Sequence, residues 1–219
     1  MRKVFSCVLA GLLLLTAASA QNLVSFNRSG TMTVAQTNQM ITKAFGSAVA
    51  PASEALDLYK ISYRSRDEKN RPVVLTGLLV FPKGGAPKGL VVFNHGTLAD
   101  RKRSPSRFTG KADDSEAQTA TLAFASGGYA VVMPDYLGLG DHTGGAHPYP
   151  LGAVNSRSAV DIIAPAREVA KRLKTIRRRG VGENLLRQYV VNDASLNHIT
   201  GMPAATVQAR RFFDEGFSD

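Results

Sequence analysis

The sequence predicts an α/β fold with a mostly parallel sheet, an antiparallel hairpin on its N-terminal side and flanking helices. Two short runs, Leu90–Phe93 and Tyr129–Met133, are almost entirely apolar. Such runs are typical of strands that are buried on both faces. Each run leads into a polar loop and then into a segment whose apolar residues have helical spacing. Strands that alternate with helices in this way indicate parallel pairing through right-handed crossovers.

The N-terminal residues 1–20 have the features of a secretory signal. A charged pair, Arg2-Lys3, precedes the apolar run Val8–Leu15, and small residues end the segment at Ala20. This order predicts cleavage between Ala20 and Gln21 and export to the periplasm or the cell exterior. The apolar run is short for a bilayer span, so we expect no membrane span after cleavage, with a retained anchor as the alternative. Residues 21–219 are then a single domain.

Composition narrows the classes of function. Cys7 is the only cysteine, so the processed chain has no disulfide and no thiol nucleophile. The net charge of +10 could favour anionic partners. The basic residues are nevertheless scattered, apart from Arg177–Arg179 beside a helical stretch, which indicates a solvated helix face. We therefore expect no nucleic-acid partner, while the oligomeric state stays open.

The N-terminal part shows one helix and a hairpin. Thr33–Phe45 has a helical pattern that ends at Gly46. Leu56–Arg64 and Val73–Phe81 read as strands around a polar turn, which predicts an antiparallel pair.

Three further elements follow the first buried strand. Asp114 is a candidate cap for a helix that runs through Phe124. Ser158–Leu173 has helical spacing, and Pro165 within it should kink or restart the helix. Arg187–Val191 is a candidate final strand.

The loop His95-Gly96-Thr97 comes directly after the first buried strand. Glycine lets the backbone approach a ligand closely, and a backbone N–H there can be aimed at negative charge that develops during reaction. The loop is thus a candidate oxyanion loop. The alternative is a plain strand-to-helix turn with a buried, hydrogen-bonded histidine.

A second candidate loop begins after the next buried strand. Ligands bind at the carboxyl ends of parallel strands, so Asp135 and Tyr136 should face the same cleft as His95. Tyr136 could line the site, and Asp135 could fix the loop by accepting backbone N–H bonds, a structural role. His142 and His147 lie on a glycine-rich loop whose spacing fits no metal site, so we expect no metal and no cofactor.

Three stretches resemble the secretory-lipase-like branch of the α/β-hydrolase superfamily. They are Gly128–Gly140, His147–Pro150 and Ser158–Asp161, and the resemblance covers about residues 56–173. It implies an α/β-hydrolase fold, a small-molecule acyl ester substrate, an oxyanion role for the loop at His95, and a serine nucleophile on the next strand-to-helix turn.

The sequence departs from that pattern where the nucleophile is expected. No Gly-x-Ser-x-Gly occurs in the chain. The segment 174–219 instead resembles the C-terminal end of such enzymes, which implies that His198 is the general base. We expect an incomplete α/β-hydrolase fold in which residues 21–173 are the N-terminal part. An internal deletion would have removed the nucleophile and the acid, so we expect no activity. Ser195 is a poor substitute because no strained turn holds it. The alternatives are a non-catalytic acyl-ligand binder or relic, or a split enzyme.

Overall fold

The computed structural model describes residues 22–149, 151–177 and 187–191. In chain order the elements are β1 (Leu23–Met32), α1 (Val34–Phe45), β2 (Leu56–Arg66), β3 (Pro72–Pro82), β4 (Gly89–Phe93), α2 (Glu116–Phe124), β5 (Ala130–Pro134), α3 (Gly152–Asp161), α4 (Ile163–Arg177) and β6 (Arg187–Val191). The expected signal segment with its cleavage point, and His198, lie outside the described residues.

The strands form one mixed sheet in the order β1-β2-β3-β5-β4-β6. β4 pairs parallel with both β5 and β6, whereas the pairs β1–β2, β2–β3 and β3–β5 are antiparallel. The predicted α/β architecture with its N-terminal hairpin and flanking helices is therefore confirmed. The sheet is mixed rather than mostly parallel, because β1–β2 and β3–β5 are antiparallel in addition to the predicted hairpin pair β2–β3.

Strand β1 was missed by the sequence analysis. Its burial pattern has no regular alternation of buried and exposed residues, so it lacks the signal that marks a half-buried strand. Backbone pairing with β2, from Leu23 opposite Tyr63 to Met32 opposite Leu56, holds it at the sheet edge. Only its two ends are buried.

Two hydrophobic cores lie on opposite faces of the sheet. Val91 and Val131 pack into the core that contains residues of α1 and α2. Val92 and Val132 pack into the core that contains residues of α3 and α4. Successive side chains of one strand thus enter different cores, which explains why β4 and β5 are apolar throughout.

The helix boundaries follow local capping chemistry. Thr33 caps α1 in a reciprocal capping box with Gln36, so the helix begins one residue later than predicted and ends before Gly46 as predicted. Ser115 rather than Asp114 caps α2, and Asp114 takes a positive φ of 54° in the preceding turn. The helical segment predicted to begin at Ser158 in fact begins six residues earlier, and it restarts at Ile163 with Pro165 in the first turn of α4. No helix among the described residues has both the length and the apolar character needed to cross a membrane.

Candidate active site

The two predicted loops meet at one edge of the sheet. β4 and β5 are parallel and in register, with Val92 opposite Val132, so their carboxyl ends lie side by side. His95 follows the end of β4 and Asp135 follows the end of β5. Their proximity is direct, because His95 Nε2 lies 3.4 Å from the carbonyl oxygen of Asp135. This edge is where open α/β sheets place their ligands.

His95 is buried and held by backbone oxygens. Its Nδ1 lies 2.7 Å from the carbonyl oxygen of Gly96, a much better hydrogen-bond length than that of the Nε2 contact. A neutral ring with its proton on Nδ1 fits this arrangement. Burial lowers the pKa of His95 below the ordinary 6.5. His95 is thus the buried, hydrogen-bonded histidine of the alternative interpretation, and the oxyanion role of its loop stays a prediction.

Tyr136 is also buried, so it packs against the loop at His95 instead of lining an open surface. Its ring centroid is 4.2 Å from that of His95, and its hydroxyl donates to the His95 carbonyl oxygen at 3.2 Å. Its φ of +68° is rare for a bulky residue and costs conformational energy. Burial, followed by the negative charge of Glu116, raises the pKa of Tyr136 far above its usual range.

Asp135 connects three segments of the chain. It is fully buried, and its carboxylate accepts a hydrogen bond from the Thr76 hydroxyl at 2.5 Å and from the Ser106 backbone N–H at 2.8 Å. Burial raises the pKa of Asp135, although both hydrogen bonds oppose the rise. These contacts match the structural role expected for this residue, with the hairpin strand β3 as one of the partners.

In the candidate oxyanion loop, the central backbone N–H already has a hydrogen-bond acceptor from the protein itself. The Gly96 N–H donates to a carboxylate oxygen of Glu116, the first residue of α2, at 2.8 Å. Thr97 is exposed, and no acceptor for its backbone N–H is found among the described residues. The central amide of the loop is thus already bonded to a carboxylate.

Arginines fasten the loop that follows β5. The Arg101 guanidinium donates to the carbonyl oxygens of Gly138 at 3.0 Å and His142 at 3.2 Å. Arg107 forms an ion pair with Asp141 at 2.7 Å, and Lys60 pairs with the same carboxylate. The glycine-rich loop after Tyr136 is therefore bound to the loop after β4 along much of its length.

The two loop histidines hold backbone groups. His142 Nδ1 accepts from the Gly138 N–H at 3.2 Å, and His147 Nδ1 lies 2.7 Å from the Leu137 carbonyl oxygen. Burial, and then the charge of Arg101, lower the pKa of His142. With Asp141 engaged by basic side chains, these contacts fix the backbone of the loop after β5.

Sequence reasoning missed several residues that build this edge. They are Thr76, Ser106, Glu116 and the arginines of the loop after β4. Thr76 lies in the middle of a strand, and the arginines resemble solvated surface charges, so no pattern singled them out. A carboxylate at the first turn of α2 was the one available signal for Glu116. His198 and Ser195 lie outside the described residues.

The sheet order, the flanking helices and the two loops at the carboxyl edge define an α/β-hydrolase-like fold of the lipase and esterase type. No protein-family model and no curated protein matches the chain.

Solved structures do match. A crystal structure provisionally assigned as a hydrolase of Legionella pneumophila has 24% identity and a TM-score of 0.66, covering 90% of this chain and 49% of its own. The rice cell wall degrading esterase LipA of Xanthomonas oryzae has 24% identity and a TM-score of 0.59, covering 90% and 46%. A point variant of LipA has 26% identity and a TM-score of 0.59, covering 71% and 39%. The chain therefore spans about half the length of the structures it resembles.

Proposed function

We propose that this chain is an exported carboxylic-ester hydrolase by descent that binds acyl esters without turning them over. The observation that carries the proposal is the meeting of two loops at the carboxyl edge, where His95 lies against Asp135 and Tyr136. Backbone amides at that position suit the carbonyl oxygen of an ester. The fold shared with LipA, whose described activity is that of an esterase, supports the same chemistry.

The absence of turnover is proposed from the sequence. A hydrolase triad runs serine, then acid, then histidine along the chain. The chain has no Gly-x-Ser-x-Gly to supply the serine, so no acyl-enzyme should form. We treat 21–219 as one truncated domain with 174–219 as its C-terminal end, in which His198 is the inherited general base.

The position of β6 supports this role for His198. β6 pairs parallel with β4, and its last residue Val191 lies opposite Phe93. The last described strand therefore ends at the sheet edge that holds His95. Seven residues can span up to about 25 Å, enough to return to that loop.

The test is hydrolysis of p-nitrophenyl butyrate by the purified protein. We expect a rate equal to that of the His198→Ala variant and of buffer, because no nucleophile is present. A matched control is His147→Ala, which removes a rim histidine. Turnover by the unmodified chain that is lost in His198→Ala and kept in His147→Ala would overturn the proposed inactivity.

Binding without turnover is tested separately. Titration of the 15N-labelled protein with methyl butyrate should shift amide resonances of residues 95–97 and 135–140 and leave those of β1 unchanged. Shifts spread evenly over the protein, or none, would contradict an acyl-ligand site at this edge.

Export rests on the N-terminal pattern. Expression in an exporting bacterium should give a secreted or periplasmic protein whose first residue is Gln21. Substituting Ala20 with arginine should block processing, because cleavage requires a small residue there. A product that retains residues 1–20 would instead indicate the anchored alternative.

A further inference from the structure

We propose that Glu116 sets the charge preference of this site, because its carboxylate occupies the Gly96 amide and selects uncharged acyl ligands over anionic ones. The proposal deepens the acyl-ligand function proposed above and depends on it. Its starting point is the 2.8 Å hydrogen bond from the Gly96 N–H to Glu116.

The carboxylate is well placed to remain at this amide. Glu116 is the first residue of α2, whose N-cap Ser115 accepts from the Gln118 N–H at 3.1 Å. The helix N-terminus favours negative charge at this position. A hydrogen bond to an ionised acceptor is roughly twice as strong as a neutral one. Glu116 is also partly buried, which restricts its side chain.

The charge acts on the centre of the site. Glu116 counters the burial that lowers the pKa of His95. It also adds to the burial that raises the pKa of Tyr136. These two rings support the candidate oxyanion loop, so a ligand beside the loop would be exposed to the same negative field.

Two consequences follow for ligands. An acyl oxygen that is to accept from the Gly96 N–H must displace the Glu116 carboxylate. An anionic ligand, such as the free acid released from an ester, also meets like-charge repulsion. An ester carbonyl carries no net charge and avoids that cost. Glu116 therefore favours the ester over the acid.

The variant Glu116→Gln tests this directly, since it keeps the shape and an acceptor oxygen but removes the charge. Glu54→Gln is the matched control, because Glu54 is also partly buried and accepts a glycine backbone N–H, that of Gly84, at 3.0 Å. Butyrate and methyl butyrate are the probes, followed by the amide resonances of residues 95–97 in the 15N-labelled protein.

We expect Glu116→Gln to bind butyrate about tenfold more tightly than the unmodified protein, from the loss of one like charge at close range. The affinity for methyl butyrate should change much less, and Glu54→Gln should change neither. Equal butyrate affinity in Glu116→Gln and the unmodified protein would overturn the proposal, as would the same gain in Glu54→Gln.

A ligand-free measurement separates this proposal from the one on which it rests. Exchange of the Gly96 amide hydrogen should be faster in Glu116→Ala than in the unmodified protein, and unchanged in Glu54→Ala. Unchanged exchange in Glu116→Ala would show that the carboxylate does not hold this amide, and the proposal would be wrong. If the exchange effect is present but neither probe binds either protein, the acyl-ligand function and the charge selection are both wrong.

Discussion

Thr76 and Asp135 form a buried relay between the hairpin and the candidate active site. The Thr76 hydroxyl donates to the Asp135 carboxylate at 2.5 Å and accepts from the Asp141 backbone N–H at 3.2 Å. The same carboxylate accepts from the Ser106 N–H at 2.8 Å. One hydroxyl and one carboxylate thus join β3, the loop after β4 and both ends of the turn after β5.

Thr76→Val should destabilise the protein by about 1–3 kcal/mol, because it removes one donor from a buried carboxylate and leaves a backbone N–H without its acceptor. Thr76→Ser keeps the hydroxyl and should lose less. The free energy of unfolding from urea titration measures both. A valine variant as stable as the serine variant would contradict the relay.

Gly140→Ala should be among the most damaging single changes at this edge. Gly140 has a φ of +58°, and an added Cβ would lie 2.0 Å from an Asp135 carboxylate oxygen and 2.4 Å from the Thr76 hydroxyl. Gly46→Ala is the matched control, since its φ is +59° and nothing lies within 4 Å of its Cβ position.

The control separates backbone strain from steric overlap. Gly46→Ala should cost about 1–3 kcal/mol from the backbone alone, because a φ of 59° with a ψ of −125° is a conformation that glycine adopts far more readily than other residues. Gly140→Ala should exceed it by about 1–3 kcal/mol, the usual cost of forcing atoms into a packed site. Thermal unfolding of both variants gives the comparison. Similar losses in the two would show that the relay shifts to admit a methyl group.

Most of the fold could be predicted from sequence, because buried strands and helices leave a recognisable spacing of apolar residues. β4 and β5 are apolar throughout since each strand contributes side chains to two cores. The ends of α1 follow from Thr33 and Gly46. β1 could not be predicted in this way, because its stability comes from backbone pairing with β2 rather than from a buried face.

The candidate site was predicted only in part for a related reason. Residues that precede or follow a buried strand, such as His95 and Asp135, can be assigned to the carboxyl edge from sequence order. Residues that reach this edge from other parts of the chain cannot be assigned to it in that way. Thr76 arrives through antiparallel pairing of β3 with β5, and Glu116 through the packing of α2 on the sheet. Neither the strand pairing nor the helix packing can be recognised from the residues next to Thr76 or Glu116 in the sequence.

Arg101→Met should loosen the loop after Tyr136. The guanidinium donates to two carbonyl oxygens of that loop, and methionine keeps the aliphatic bulk without the donors. We expect faster amide hydrogen exchange in residues 137–142 and a stability loss of about 1 kcal/mol. The neighbouring Lys102 has an exposed side chain, so Lys102→Met should change stability by less than about 0.5 kcal/mol. Equal amide hydrogen exchange in Arg101→Met and Lys102→Met would show that the Arg101 hydrogen bonds do not order the loop.

The buried neutral His95 predicts a loss of stability in mild acid. Its pKa in the folded protein lies below the ordinary 6.5, chiefly because burial disfavours the charged ring. As the pH falls through 6.5 the unfolded chain takes up a proton that the folded protein does not. The unfolded state is then favoured, and the loss grows until the pH reaches the lowered pKa.

His95→Asn isolates this contribution, because the asparagine amide can replace Nδ1–H as the donor to Gly96 but does not titrate. The variant should be less stable than the unmodified protein at about pH 8, since it loses the ring contact with Tyr136, and the difference should shrink towards about pH 5. Two other groups titrate in both proteins and cancel in the difference. His142, with its lowered pKa, acts in the same direction, and Asp135, with its raised pKa, acts in the opposite direction. Urea unfolding of both proteins across this range gives the difference, and a pH-independent gap would mean that His95 takes up its proton in the folded state as readily as in the unfolded one.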